Sequence, residues 1–237
     1  MSFADNLAAI QQRIQAACAR KGRDPGSILL LAVSKTCPAE MIGDAVNCGQ
    51  VFFGESKVQE AKAKIPSCPG KARWHFIGHL QSNKVRDAVA LFDMIQSVDS
   101  LNLAREISKR CDEAAKQMPV LLEVNVAGES SKFGYSPENL LADVKELNSL
   151  PRLSVQGLMT VPPFTSDPAR IRPHFQRLRE LRTKCEEIIG SPLPHLSMGM
   201  SGDFEIAIEE GATIVRVGTA LFGARKAREN AAGQDHI

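Results

Sequence analysis

Eight short apolar runs, separated by longer amphipathic stretches, constrain this chain more than any other feature. They are SILLLAVSK (27–35), QVFFGES (50–56), WHFIGH (74–79), DMIQSV (93–98), PVLLEVNV (119–126), LSVQGLMT (153–160), LPHLSMGM (193–200) and TIVRVG (213–218). Each has strand length and a strand-like content of Val, Ile, Leu and Phe. The intervening segments carry helical spacing, most clearly in PAEMIGDAVNCG, DSLNLAREISKRCDEAAKQ, SPENLLADVKELNSL and ARIRPHFQRLRELRTKCEEIIG. Ser136-Pro137 and Asp167-Pro168 read as helix starts, with proline in the first turn. Another helix, over about residues 3–20, precedes the first strand. Strand then helix, eight times, predicts the α/β class and a closed parallel (β/α)8 TIM barrel with an extra N-terminal helix. An open doubly wound sheet would carry a glycine fingerprint after its first strand, and that turn here is SKTCPAE. No linker or repeat divides the chain, so residues 1–237 are read as one domain, a normal length for a single barrel.

Composition removes several classes. A net charge of +2 and a pI near 8.2 do not suggest nucleic acid, for which a pI above about 9 and a clustered basic face are expected. The basic stretch Arg225-Lys226-Ala227-Arg228 reads as a helix end or a docking patch. No run approaches the ~20 apolar residues of a membrane span, and the N-terminus lacks the apolar core of a signal peptide. The six cysteines contain no C-x-x-C pair, and they do not share ligand spacing with the five histidines. Reduced thiols in a cytoplasmic protein without a metal are the expectation, and a barrel of this size can stand as a monomer.

In such a barrel the chemistry lies where the strands end at the C-terminal face. The first run closes on Lys35, an ammonium at the exit of a core strand. It reads either as a surface lysine or as a functional amine. A lysine desolvated at such a mouth holds more unprotonated amine, the form that attacks an aldehyde. SMGMSGD leads from the seventh run into a helix, a small-residue loop whose N–H groups and Ser201 hydroxyl suit an anion. Its plain reading is an N-cap formed by Ser201 or Asp203. Arg216 interrupts an apolar strand, and a buried arginine is rarely unpaired. Gly218 and Thr219 then offer backbone and hydroxyl donors. An amine, an inward arginine and two phosphate-like turns on one face suit an aldehyde that carries a phosphate, namely pyridoxal 5'-phosphate.

The stretches LLAVSKT, FGESKVQEA, WHFIGHLQSNK, GLMTVPP and LSMGMSGDFEIAIEEGATIVRVGTALFG, in that order across residues 29–223, resemble the YggS/PROSC family of pyridoxal-phosphate-binding proteins, associated with vitamin B6 homeostasis. The resemblance implies a fold-type III barrel like the N-terminal domain of alanine racemase. It also implies Lys35 as the Schiff-base lysine, Ser201, Gly218 and Thr219 around the phosphate, and Arg216 toward the pyridine nitrogen. His79, Met159 and Met200 would shape the pocket, or simply pack the barrel mouth. The chain departs from the family at Ser56-Lys57, where asparagine followed by tyrosine or arginine is common, so a cofactor contact at Ser56 is shortened. Lys132 is a further candidate amine near the mouth.

Racemisation needs a second base on the opposite face of the substrate carbon. In the racemase that base is a tyrosine from another domain, whereas this sequence ends soon after its last strand and holds one tyrosine, Tyr135. Arginine beside the pyridine nitrogen keeps it unprotonated and weakens the ring as an electron sink. The expectation is a binding protein that holds the cofactor as a lysine aldimine and buffers it or delivers it to cofactor-dependent apoenzymes. A weak racemase-like enzyme is the alternative. A cofactor-free Schiff-base aldolase fits less well, because such barrels often carry their lysine on the sixth strand and LSVQGLMT has none.

Overall fold

The computed structural model describes residues 2–129, 131–163, 165 and 167–223. The stretch 225–228 therefore lies outside the described residues. The apolar runs form parallel strands β1 (Leu29–Val33), β2 (Phe52–Glu55), β3 (Arg73–Phe76), β4 (Met94–Val98), β5 (Met118–Glu123), β6 (Leu153–Met159), β7 (His195–Ser197) and β8 (Ile214–Val217). Each pairs with the next in chain order, and β1 closes on β8 with Leu29 opposite Ile214 and Leu31 opposite Arg216. The result is the closed (β/α)8 barrel expected from the alternation.

Among the described residues the helices are α1 (Phe3–Ala19), α2 (Ala39–Asn47), α3 (Val58–Lys64), α4 (Val85–Leu91), α5 (Leu101–Glu113), α6 (Pro137–Ser149), α7 (Pro168–Ile189), α8 (Phe204–Glu209) and α9 (Thr219–Phe222). Ser136 and Asp167 cap α6 and α7 by accepting from Asn139 N and Ala169 N, at 3.2 and 2.9 Å. No helix among the described residues is long and apolar enough to cross a membrane.

Strand periodicity divides the packing into two layers. Ala32, Phe53, Trp74, Phe76, Ile95, Val215 and Val217 face outward into the core shared with the helices. Leu31, Met94, Leu121, Met159 and Ile214 form a smaller apolar cluster inside the barrel. Leu29, Phe52 and Ile77 pack against it, and the interior also holds the buried polar side chains His75, Gln96, Ser197 and Arg216. The additional helix α1 lies along α8 and α9. Asn6 Nδ2 donates to Leu221 O at 2.9 Å, and Phe3 rests on Phe222 with ring centroids 5.2 Å apart. The sequence-distant N-terminus thereby braces the turn that follows β8.

Candidate functional site

Lys35 leaves β1 through a constrained turn. Ser34 N donates to Gly54 O at 3.0 Å, keeping the chain in register with β2 for one residue past the strand. Thr36 then takes a φ of 68°, left-handed backbone that a β-branched residue rarely adopts. Its N–H donates to Glu60 Oε1 of α3 at 2.5 Å. Lys35 and Thr36 line a cavity of about 1420 Å³ together with Val33, Cys37, Lys57, Gly218 and Thr219. The backbone is close-packed at Gly218, where a Cβ would lie 3.2 Å from Val33 O.

Ser201 reaches the same corner. Its hydroxyl accepts from Ala220 N, in the first turn of α9, at 3.5 Å, so the loops after β7 and β8 meet. Asp203 takes the N-cap position of α8 without a side-chain cap bond. Its carboxylate instead turns back to Met200 N at 2.5 Å, which holds the half-buried Met200 beside Ser201. Asp203 thus holds the N-cap position that the plain reading of SMGMSGD offered, but without the side-chain bond to the first turn.

Arg216 lies inside the barrel, 4% exposed. Nη1 donates to Ser197 Oγ at 2.7 Å and Nη2 to Thr160 O at 2.8 Å. Ser197 in turn donates to Gln96 Oε1 at 2.6 Å, and Gln96 Nε2 lies 2.8 Å from His75 Nδ1. The relay runs one way, from guanidinium to hydroxyl to amide to imidazole, so His75 must present a lone pair and remain neutral. Burial lowers its pKa to about 4. Burial also pushes the Arg216 guanidinium down to about 10, against the pull of Glu123 and Asp203. Glu123, at the end of β5, is raised by burial and by Asp99 to about 7.

Other expected residues sit further around the mouth. His79 stacks on Phe133 with centroids 3.7 Å apart, and its Nδ1 is 3.2 Å from Asp99 Oδ2. Ser56 packs its carbonyl against Gly78, where a side chain could not fit. Met159 is buried in the inner apolar cluster. Lys132 pairs with Glu129 at 3.4 Å. Lys35, Ser201, Gly218 and Thr219 thus gather at one corner with Met200. Arg216 lies within the barrel, and His79 and Ser56 belong to the loops after β3 and β2.

The sequence did not disclose the cluster beneath Lys35. Lys64 of α3 is buried, and its ammonium donates to Glu55 Oε1, Glu60 Oε1 and Ser34 O at 2.8, 2.8 and 2.9 Å. All three of its N–H bonds are used. Burial opposes that charge, yet Glu55 and Glu60 outweigh burial and hold Lys64 above its ordinary range. In KVQEAKAK, Lys64 has the spacing of any solvated helix lysine.

An amine, hydroxyl and backbone donors, and a buried guanidinium at the C-terminal face of a parallel barrel form a donor set that fits a phosphorylated aldehyde. This combination defines a cofactor barrel of the racemase type. Residues 6–226 match the model of the alanine racemase N-terminal domain, and the chain belongs to that family. Its relatives include proteins named pyridoxal phosphate homeostasis protein. One from Aquifex aeolicus is 48% identical over 227 residues, covering 95% of this chain and 100% of that protein. One from Mus musculus is 41% identical and covers 92% of this chain and 85% of its own. The solved structure of PipY from Synechococcus elongatus with PLP bound is 36% identical at a TM-score of 0.83, covering 94% of this chain and all of that one. Alanine racemase of Clostridium difficile, at 15% identity and a TM-score of 0.73, shares the fold, and this chain covers 58% of its length.

Proposed function

We propose that this protein binds pyridoxal 5'-phosphate through Lys35 and serves intracellular vitamin B6 homeostasis, holding the cofactor and handing it to apoenzymes that depend on it. The observation that carries the reading is the convergence of Lys35 with Gly218 and Thr219 on one cavity. The relatives' name and the PLP-bound PipY structure support it. When bound, the group supplies an aldehyde that condenses with a primary amine, releasing water.

The chain's own residues do the rest. Lys35 offers the amine. Ser201, Thr219 and the turn at Gly218 receive the phosphate at the corner where the last two loops meet. Arg216 would face the ring, its guanidinium held by Ser197 and the Thr160 carbonyl. Met200, His79 and Ser56 bound the mouth. Tyr135 is buried, and burial pushes its hydroxyl far above the ordinary range. It therefore keeps its proton at neutral pH and is a poor second base, which favours holding and delivery over racemisation. The protein acts in this reading as a monomer in the cytoplasm.

Incubation with pyridoxal phosphate should produce a visible absorption band, and borohydride should fix the cofactor on the tryptic peptide that contains Lys35. Lys35→Ala should lose the band and bind at least about tenfold more weakly, a change of about 1.4 kcal/mol. A wild-type protein without a band overturns the reading. Rapid racemisation of a common amino acid by pure protein would replace delivery with catalysis.

A further inference from the structure

We infer that Glu60 and Lys64 are positioning residues for Lys35: with the buried Glu55 they form a clamp that holds the Thr36 turn in its left-handed conformation and so sets where the Lys35 amine points. The inference rests on the reading of Lys35 as the cofactor's amine.

Three elements meet in the clamp. Ser34 closes β1, Glu55 closes β2, and Glu60 and Lys64 lie on α3. Ser34 Oγ donates to Glu55 Oε1 at 2.6 Å, and the Lys64 ammonium bridges Glu55, Glu60 and the Ser34 carbonyl. The Lys64 side chain is 7% exposed and that of Glu55 is fully buried. Glu60 is the member that reaches the turn, taking the Thr36 N–H on the same Oε1 that Lys64 holds. The two residues flanking Lys35 are therefore gripped at two points, Ser34 by Lys64 and Glu55, Thr36 by Glu60.

The backbone gives the clamp a specific task. A threonine at positive φ is strained, and such strain persists only where surrounding contacts over-determine it. A charge-assisted bond from a carboxylate to the strained residue's own N–H is such a contact. Burial works against charge on Glu60, but the Lys64 ammonium and the Thr36 N–H outweigh it and hold the carboxyl below its ordinary range. Without the grip, the turn can relax toward right-handed or extended backbone, and the amine leaves the side of the cavity that Gly218 and Thr219 line.

The test is a cycle of Glu60→Ala, Glu60→Gln, Thr36→Gly and the double variant Glu60→Ala/Thr36→Gly. Glycine adopts positive φ without strain, so it should make the clamp largely dispensable. Glu60→Ala should weaken pyridoxal phosphate binding about tenfold, equivalent to about 1.4 kcal/mol. Glu60→Gln, which keeps an acceptor, should lose less. On the Thr36→Gly background the same Glu60→Ala change should cost no more than about threefold, a smaller coupling read as in any double-mutant cycle. A merely structural role for Glu60 would give the same loss on both backgrounds, and that result overturns the inference. Two readouts on cofactor-free protein separate this from the function itself. Amide exchange of residue 36 and reductive methylation of Lys35 by formaldehyde with cyanoborohydride as hydride donor should both accelerate at least about threefold in Glu60→Ala. If wild type takes up no pyridoxal phosphate yet these rates respond, the functional reading falls and the clamp stands. If neither rate changes, the clamp falls whatever the cofactor does.

Discussion

Two buried cations belong to the candidate site or border it, Arg216 inside the barrel and Lys64 on the cavity that Lys35 lines, and the protein treats them in opposite ways. Lys64 is surrounded by carboxylates and a carbonyl, with an ion pair to Glu55 and another to Glu60, both at 2.8 Å. Arg216 is held by a hydroxyl and a carbonyl, both neutral, and among the described residues it forms no ion pair. The consequences follow from charge. Lys64 is neutralised where it stands, and its carboxylates more than compensate for burial. Arg216 keeps a charge that its immediate partners do not cancel, and burial drags it down to about 10. The first arrangement locks three elements together. The second leaves a positive field inside the barrel, which in the proposed reading a phosphorylated cofactor would feel. Buried charge is thus cancelled by carboxylates in one place and, in the proposed reading, faces a ligand in the other.

The largest effect that would break this comparison lies at Lys64. Removing one partner of a buried ion pair leaves the other charge uncompensated. Lys64→Met should cost about 3–5 kcal/mol in urea unfolding, and adding Glu55→Gln should recover part of it. A cost under about 1 kcal/mol would show that the cluster carries little of the structural load.

Next comes the far end of the Arg216 relay. His75 has a folded pKa of about 4 against an ordinary 6.5. The folded state therefore takes up fewer protons than the unfolded chain in that window. The contribution is fully present above pH 6.5 and is lost as pH falls toward 4, on the order of 3 kcal/mol in total. Unfolding titrations at pH 7 and pH 4.5 should show this loss in wild type, and His75→Gln should flatten it. An unchanged slope would mean that His75 does not carry the acid sensitivity.

The smallest stability effect belongs to Arg216 itself. Arg216→Met removes the cost of burying a guanidinium while leaving the Thr160 carbonyl without that donor, so the net loss should be about 1–2 kcal/mol. Pyridoxal phosphate affinity should nevertheless fall at least about tenfold. If Arg216→Met were as destabilising as Lys64→Met and bound cofactor normally, the two cations would have exchanged roles.

Much of this was legible in the residues. Strand periodicity depends on local apolar pattern, so the eight strands lie where the runs place them, trimmed by a residue or a few at most ends. Lys35 and Arg216 stood out because each interrupts or ends an apolar run, and a charge there demands a partner. The helix starts at Ser136 and Asp167 were equally local, since a cap is a contact between residues two or three apart. The clamp was not legible, because Lys64 and Glu60 have the spacing of an ordinary helical ion pair and nothing in KVQEAKAK says that this face turns inward. The relay was hidden for the same reason: His75 and Gln96 meet through the pairing of β3 with β4, and Ser197 reaches Gln96 from β7 across the barrel interior.

The sequence by itself determined the barrel and marked the charges at its strand ends, because apolar periodicity and isolated charges are properties of short segments. Tertiary structure alone decided which charges meet carboxylates and which meet only neutral partners. That outcome depends on which carboxylates, hydroxyls and carbonyls the closed barrel brings within hydrogen-bonding distance of each buried cation.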